Sequence, residues 1–325
     1  MCSRLRGLFI AVAFLLWAGV GYATVINFGT LQHNLVSNYQ GLTTTLPDQP
    51  GPGYGIRLID NGEPNVNPIV GDNNNPPAAA IWSASALDVA DGFSISFEFR
   101  MSGGWEDNAP DPGGGPAGGD GFAFVIQNNP NGSQLLGRGA GGLGYMYIPN
   151  GLAVEFDTYK NDGWYGDPDG NHVAVNVSAA VTVGSGPGYL VPHHDCYQGH
   201  LTTYGYTTDM PDYVGCTSNP ELGGASVSRP LNDGDWQTAE IVYFNDLGVN
   251  YLSLYLNSEW EFTTPVDLKS LLNLPASGDA YLGFTAGDRN AFQNHDLFFP
   301  VPEPATLLLF STGLAVLILR RRRMT

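Results

Sequence analysis

The amino-acid sequence predicts an all-β chain folded as one jelly-roll β-sandwich. Three observations point there. Short apolar runs alternate with polar residues at period two, clusters of turn formers separate them, and no amphipathic run of helical period is long enough to cover a parallel sheet. The 43 Gly and 23 Pro are about a fifth of the 325 residues, without the strict period of collagen. Aromatics at 12% and charged residues at only 14% exclude a disordered chain, because there is ample apolar surface to bury.

The first strand is expected at 56–59. Phe93-Ser94-Ile95-Ser96-Phe97-Glu98-Phe99 alternates strictly, the mark of a half-buried strand. Phe122-Ala123-Phe124-Val125-Ile126 is apolar throughout, as in a strand covered on both faces. Further strands are expected at 152–158, 172–177, 238–243, 251–256 and 281–285. Asn245-Asp246-Leu247-Gly248 is a turn that folds 249–256 back as a hairpin. Only 266–274 reads as helix, and briefly. Two insertions interrupt a single domain spanning 24–300. Residues 103–119 are rich in Gly and Pro and read as a surface loop, and 179–230 form a long excursion.

The two ends do not belong to this fold. Arg4 and Arg6, an apolar run over 8–20 and Gly21-Tyr22-Ala23 read as a secretory signal with its cleavage site, residues 1–23. A retained membrane anchor is the alternative. At the other end Pro302-Glu303-Pro304 precedes an apolar segment, 305–319, and then Arg320 to Arg323. That segment is short for a bilayer span, which usually takes about 17–25 residues. The arginines would hold the C-terminus in the cytoplasm. The chain is thus expected to be exported and to pause in the membrane with its body outside.

These three parts, in this order over residues 301–325, resemble the PEP-CTERM class of bacterial sorting signals. The resemblance implies a Gram-negative source, processing by an exosortase-like transpeptidase, and association with exopolysaccharide or biofilm matrix. A plain tail anchor is the alternative.

The net charge of −18 excludes ordinary nucleic-acid binding, which needs a basic footprint. The two ends hold six of the 13 basic residues and one of the 31 acidic ones, leaving 7 and 30 and a body charge of −23. Such a body attracts cations. Cys196 and Cys216 remain once Cys2 leaves with the signal, and in an exported domain they read as a disulfide. It would close a loop of about 20 residues, contributing about 3 kcal/mol in the chain-entropy model. His193, His194 and His200 lie close to Cys196, so zinc stays open as a second reading.

The densest set of metal-ligand types starts at Glu155-Phe156-Asp157-Thr158-Tyr159-Lys160-Asn161 and continues to Asp167 and His172. Glu155 and Asp157 sit two apart on a strand, so both point to one face, about 6.6 Å apart along it. Carboxylates so placed repel unless a cation or a proton lies between them. Carboxylates, an amide and a carbonyl suit Ca²⁺, and an added imidazole suits a transition metal such as Mn²⁺. A solvated acidic edge followed by ordinary Asp-Pro and Asp-Gly turns is the alternative.

Ala153 to Asn161, then Asp167-Pro168 and Asn171-His172-Val173, resembles the metal motif of legume, or L-type, lectins. Gly119-Asp120-Gly121-Phe122-Ala123-Phe124-Val125-Ile126, Gly141-Gly142-Leu143-Gly144-Tyr145, Tyr281 to Gly287 and Asn294-His295-Asp296 resemble four further segments of that family, in its order. The resemblance implies a concanavalin-like sandwich. It implies a transition-metal site on Glu155, Asp157, Asp167 and His172, and a calcium site on Asp157, the Tyr159 carbonyl, Asn161 and Asp167. It implies a sugar held by the Asp120 carboxylate, an N–H of Gly141 or Gly142 and the Asn161 amide. The loop Ala286, Gly287, Asp288, Arg289 and Asn290 would set specificity, Tyr159 or Trp164 would stack on the ring, and the Gly119–Asp120 peptide would be cis. The sequence departs from the family in a longer Asn161-to-Asp167 loop, in Gly rather than Ala before Asp120, and in the 179–230 excursion.

The resulting expectation is a non-enzymatic, calcium-dependent carbohydrate-binding protein on the outside of a bacterium. A structural matrix protein with a degenerate sugar site is one rival. A glycoside hydrolase is the other, although Glu155 and Asp157 fit a catalytic pair only loosely.

Overall fold

The computed structural model describes residues 24–37, 46, 48–60, 76–106, 118–161, 167–177, 221–289 and 291–301. The secretory signal, the cysteine pair, Trp164, Asn290 and the Pro-Glu-Pro tail with its apolar segment lie outside these residues. Among the described residues no helix is long and apolar enough to cross a membrane.

In chain order the strands are β1 (Thr24–Ile26), β2 (His33–Ser37), β3 (Gly53–Ile59), β4 (Ala78–Ser83), β5 (Leu87–Asp88), β6 (Phe93–Glu106), β7 (Gly121–Gln127), β8 (Gly151–Asp157) and β9 (His172–Val177). They continue as β10 (Glu221–Ser226), β11 (Gln237–Asp246), β12 (Val249–Leu256), β13 (Glu259–Pro265), β14 (Asp279–Gly287) and β15 (Ala291–Pro300), with a short helix α1 (Leu268–Leu271) before β14. They form two sheets. One runs β13-β12-β11-β6-β15-β3, with β1 added beside β6, and the other runs β10-β9-β8-β7-β14-β4-β2, with β5 beside β14. The pairing is antiparallel apart from β1 on β6, so the expected sandwich is what forms.

The period-two pattern of β6 does what it predicts. Phe93, Ile95, Phe97 and Phe99 point between the sheets and are buried. Opposite them Phe122 and Phe156 stack at 4.5 Å, and Phe97 meets Phe284 edge-on at 4.8 Å. Each such ring stabilises the fold by about 1.5–3 kcal/mol when fully buried. β7 and β8 are buried along their whole length because the eight-stranded sheet carries a second apolar layer on its outer face, where Leu143, Tyr145 and Ile148 pack on Trp82, Val125 and Ala153. The Trp82 indole donates to the Leu135 carbonyl at 2.7 Å, which ties the covering loop down.

The expected hairpin is present: Asp246 pairs with Val249, and Leu247 and Gly248 turn at φ 49° and 87°, the left-handed pair of a two-residue loop. Helix α1 is a single turn, capped by the Asp267 carboxylate on the N–H groups of Lys269 and Ser270. Two boundaries need correction. The loop assigned to 103–119 begins later, since β6 runs on to Glu106 and pairs with β15. The excursion assigned to 179–230 ends in β10, which pairs antiparallel with β9. Gly223 and Gly224 hide that strand in the sequence, because glycine brings no side chain to an apolar pattern.

Candidate metal and ligand site

The site forms where β7, β8, β9 and β14 end together. Inward-facing Val154 and Phe156 belong to the core, so Glu155 and Asp157 point to the opposite face of β8, as the two-residue spacing requires. The register sets Asp157 directly beside His172 on β9 and beside Gly121 on β7. Asp167 arrives from the loop and accepts the Asn161 N–H at 2.7 Å. Ligand atoms of Asp157, Asp167 and His172 then lie within 4.8 Å of one another, all buried.

Each ligand is oriented by a neighbour. His172 Nδ1 sits 2.8 Å from the Asp169 carbonyl, which can only accept, so Nδ1 carries the proton and Nε2, 3.6 Å from Glu155 Oε1, keeps its lone pair for a cation. Glu155 Oε2 accepts from the Tyr145 hydroxyl at 2.6 Å, and Asn176 donates to the same hydroxyl. Asp157 accepts the Tyr159 N–H at 2.8 Å, which fixes the turn where β8 ends.

Burial pushes the Asp157 carboxyl well above the usual range, and the nearby charges of Asp167, Glu155 and Asp120 push it further. The Tyr145 hydroxyl is likewise held well above its ordinary value by burial and by Glu155, which keeps it a donor. The cluster therefore takes up protons unless a cation is supplied. Asn161 gives an independent sign. Its Oδ1 is buried with no hydrogen-bond partner among the described residues, while its amide hydrogen-bonds the Asp120 carboxylate. A buried amide oxygen without a partner, on a residue whose own N–H is bonded to Asp167, is the ligand type that Ca²⁺ takes. The residues present fit both a calcium ion and a nitrogen-accepting divalent ion.

Asp120 is buried, and its carboxyl is pushed up to about 7 by that burial, with the Asn161 hydrogen bond and Arg289 acting against the rise. The Gly119–Asp120 peptide is cis. The Asp120 carbonyl accepts the N–H and the hydroxyl of Thr158, and its N–H reaches the Gly287 carbonyl. A Cβ at Gly119 would stand 2.9 Å from the Tyr159 Cβ and 3.1 Å from the Ala291 Cβ, so a side chain there would require its neighbours to shift.

Gly141 and Gly142 lie in a buried 3₁₀ turn packed against the end of β14, where Ala140 donates to the Asp288 carbonyl. Gly142 donates its N–H to the Gly139 carbonyl at 3.1 Å. The loop expected over 286–290 begins later, since Ala286 and Gly287 are the paired end of β14; they and Asp288 are buried, and Arg289 is partly exposed. Asp288 points inward, with Oδ1 3.5 Å from His295 Nδ1 and Oδ2 receiving the Gln293 N–H. Burial lowers the His295 imidazole to about 3, with Arg57 adding to the effect, so the ring is neutral.

Sequence reasoning passed over Tyr145, Asn176, Thr158 and Gln293. Gln293 donates to the Thr158 hydroxyl at 2.7 Å and so braces the peptide that carries Asp120 from a strand more than 130 residues away. The signals for these were Tyr145, which ends the Gly-rich segment 141–145, and Thr158, which lies inside the acidic run 155–161.

Residues 76–299 match the family model of the legume lectin domain, and residues 300–323 match the PEP-CTERM protein-sorting motif. The chain is 27% identical over 201 residues to a probable L-type lectin-domain containing receptor kinase S.7 of Arabidopsis thaliana, over 55% of this chain and 27% of that protein. Seed agglutinin 2 of Robinia pseudoacacia is 36% identical over 113 residues, 33% of this chain and 34% of the agglutinin. The chain spans about a third or less of the length of these curated relatives. Among solved structures it is similar to lectin II from Ulex europaeus, with 17% identity, a TM-score of 0.49, and 85% of this chain and 94% of that chain covered. The VIP36 exoplasmic/lumenal domain, in its Ca²⁺/Man3GlcNAc-bound form, is 17% identical with a TM-score of 0.41, over 83% of this chain and 84% of that one.

Proposed function

The chain belongs to the legume lectin domain family, and from that premise we propose that it is an exported, calcium-dependent carbohydrate-binding protein without catalytic activity. The observation that carries the reading is Asn161. Its amide holds the Asp120 carboxylate, its backbone N–H donates to Asp167 at 2.7 Å, and its side-chain oxygen is buried with no hydrogen-bond partner among the described residues. One residue thus links an ion site to the carboxylate proposed to hold sugar hydroxyls.

Calcium would be held by Asp157, the Tyr159 carbonyl, Asn161 and Asp167, and manganese or a similar ion by Glu155, Asp157, Asp167 and His172. The ions supply the positive charge that lets these buried carboxylates ionise together. The chain's own residues do the recognition. Asp120, ionised and held by Asn161, accepts from adjacent sugar hydroxyls. Gly141 is the glycine of its pair left to donate an N–H, since Gly142 is already engaged. Arg289 stands close enough to lower the Asp120 carboxyl and is partly exposed beside it.

Glu155 supports a non-catalytic role. It is fully buried and bonded to Tyr145, so it cannot reach a glycosidic oxygen. The sorting motif supports export to the envelope or surface of a Gram-negative bacterium, exosortase-like processing, and matrix exopolysaccharide as the ligand.

The test is an array of simple sugars and bacterial polysaccharides probed in calcium and then in chelator. Binding that disappears in chelator, and in Asp120→Ala with calcium present, is expected. Binding to no saccharide under calcium would leave a structural matrix protein as the better reading.

A further inference from the structure

The seven-stranded sheet has an outer face far from the ion cluster, and its two halves differ. Over β6, β15 and β3 it is covered. Trp236 packs edge-on against Phe298 at 6.1 Å, Arg100 lies over the Trp236 ring at 4.7 Å, and the indole is tied to the Asp48 carbonyl. Over β11, β12 and β13 none of the described residues covers it, and aromatic rings stand there in two pairs.

Phe244 and Tyr251 face each other across the β11–β12 ladder and stack at 5.7 Å and 27°. Tyr255 is opposite Trp260 across the β12–β13 ladder. Trp260 is 62% exposed, yet its orientation is set, because the indole N–H donates to the Thr263 hydroxyl at 3.0 Å. Tyr251 and Tyr255 are four residues apart on one strand, so the pairs are separated by about 13 Å along it. Ser253 and Thr263, bonded to each other at 2.7 Å, fill the space between with small polar groups.

The charge at outward positions of this half is acidic. Glu240 lies beside Tyr255 in the register and Glu98 follows on β6. Arg100, the nearest outward cation on β6, is committed to Asp296. A row of rings, three half-buried and Trp260 exposed, flanked by carboxylates on a body of charge −23, repels acidic polymers and favours cationic ones. Rings present π faces to the C–H faces of pyranoses and to ammonium groups, and carboxylates pair with ammonium. The distance between the pairs calls for several linked sugars.

We propose that the outer face of β11, β12 and β13 is a second glycan-binding surface, independent of calcium, for polysaccharides of amino sugars carrying free ammonium groups. Phe244, Tyr251, Tyr255 and Trp260 stack on the sugars, and Glu240 and Glu98 select the charge. This surface does not rest on the ion-dependent site and is tested apart from it.

The experiment is titration calorimetry in chelator with hexamers of β-1,4-linked glucosamine, of N-acetylglucosamine, and an acidic hexuronate hexamer, alongside sedimentation equilibrium of the same samples. The glucosamine hexamer should bind and weaken with added salt, and the hexuronate should not bind. Trp260→Ala should weaken glucosamine binding about fivefold or more. Glu240→Gln should weaken the glucosamine hexamer and leave the N-acetylated one unchanged. Asp157→Asn should leave all of this intact. Absence of glucosamine binding in chelator overturns the proposal, as does binding indifferent to both Trp260→Ala and Glu240→Gln. A dimer that Trp260→Ala converts to monomer without changing glucosamine binding would instead assign the face to a second copy of the chain.

Discussion

Asp296 and the carboxylates at the end of β8 are buried to the same degree, yet their charge is met in different ways. The Asp296 carboxylate receives Arg57 at 2.7 Å and Arg100 at 2.9 Å, so the chain brings its own counter-charge. Glu155, Asp157, Asp167 and Asp120 crowd together, and Asp157 is pushed upward by three carboxylate neighbours. Burying a charge without a partner costs several kcal/mol, so a chain that keeps such a group either protonates it or receives a cation from outside. One region is closed and structural, the other is open to an ion.

The largest effect expected is at the closed region. Asp296→Asn removes the charge that two guanidinium groups share and should cost about 3–5 kcal/mol of stability. Denaturant melts should show the same loss in calcium and in chelator. A loss that depends on calcium would erase the contrast between the two regions.

Asp157→Asn tests the open region. In chelator the variant should be as stable as the parent chain or more so, because one source of repulsion is gone. In calcium the order should reverse, since the parent gains about 2.7 kcal/mol at an ion concentration one hundred times its dissociation constant and the variant gains nothing. Sugar binding that survives this substitution would show that the ion does not shape the pocket.

The pH dependence follows from the same crowding. Without ions the folded carboxyls of Asp157 and Asp120 sit above their unfolded values, the latter at about 7. The folded state therefore holds protons that the unfolded chain releases above about pH 4. Stability of the chelated protein should fall as pH rises from about 4 through 7, while calcium affinity should rise because ions and protons compete. The calcium-induced shift in melting temperature should thus shrink from pH 8 to pH 5. A shift that grows over that interval would place the protons elsewhere.

Much of this contrast was legible in the sequence. The two-residue spacing of Glu155 and Asp157 put them on one face, and the strands expected at 152–158, 172–177, 238–243 and 249–256 lie near the bounds of β8, β9, β11 and β12, while alternation located only the first half of β6. Strand β4 was not legible, because Ala78-Ala79-Ala80-Ile81 is buried on both faces and so shows no alternation, and alanine is a poor strand former. Strand β13 reads Glu-Trp-Glu-Phe, with its largest apolar ring turned outward, against the pattern that marks a core face. The bracing of the pocket by Tyr145, Asn176 and Gln293 was illegible for a different reason. Those residues come from separate strands and loops, and only the assembled sheets bring them to Glu155 and Thr158.

Tyr145 gives the smallest and sharpest test, because it bears on the open region without being an ion ligand. Its hydroxyl donates to Glu155 Oε2 at 2.6 Å and accepts from Asn176 at 3.3 Å. Tyr145→Phe keeps the ring that packs on Trp82 and Val125 and removes only the oxygen, so stability should fall by about 1–2 kcal/mol. Glu155 belongs to the nitrogen-containing ligand set proposed for manganese and not to the calcium set. Manganese affinity should therefore fall about tenfold, as it does when an orienting partner is lost, while calcium affinity holds. Equal loss of both ions would mean that Tyr145 supports the loop as a whole. Loss of calcium alone would mean that the division of ligands between the two ions is the wrong way round.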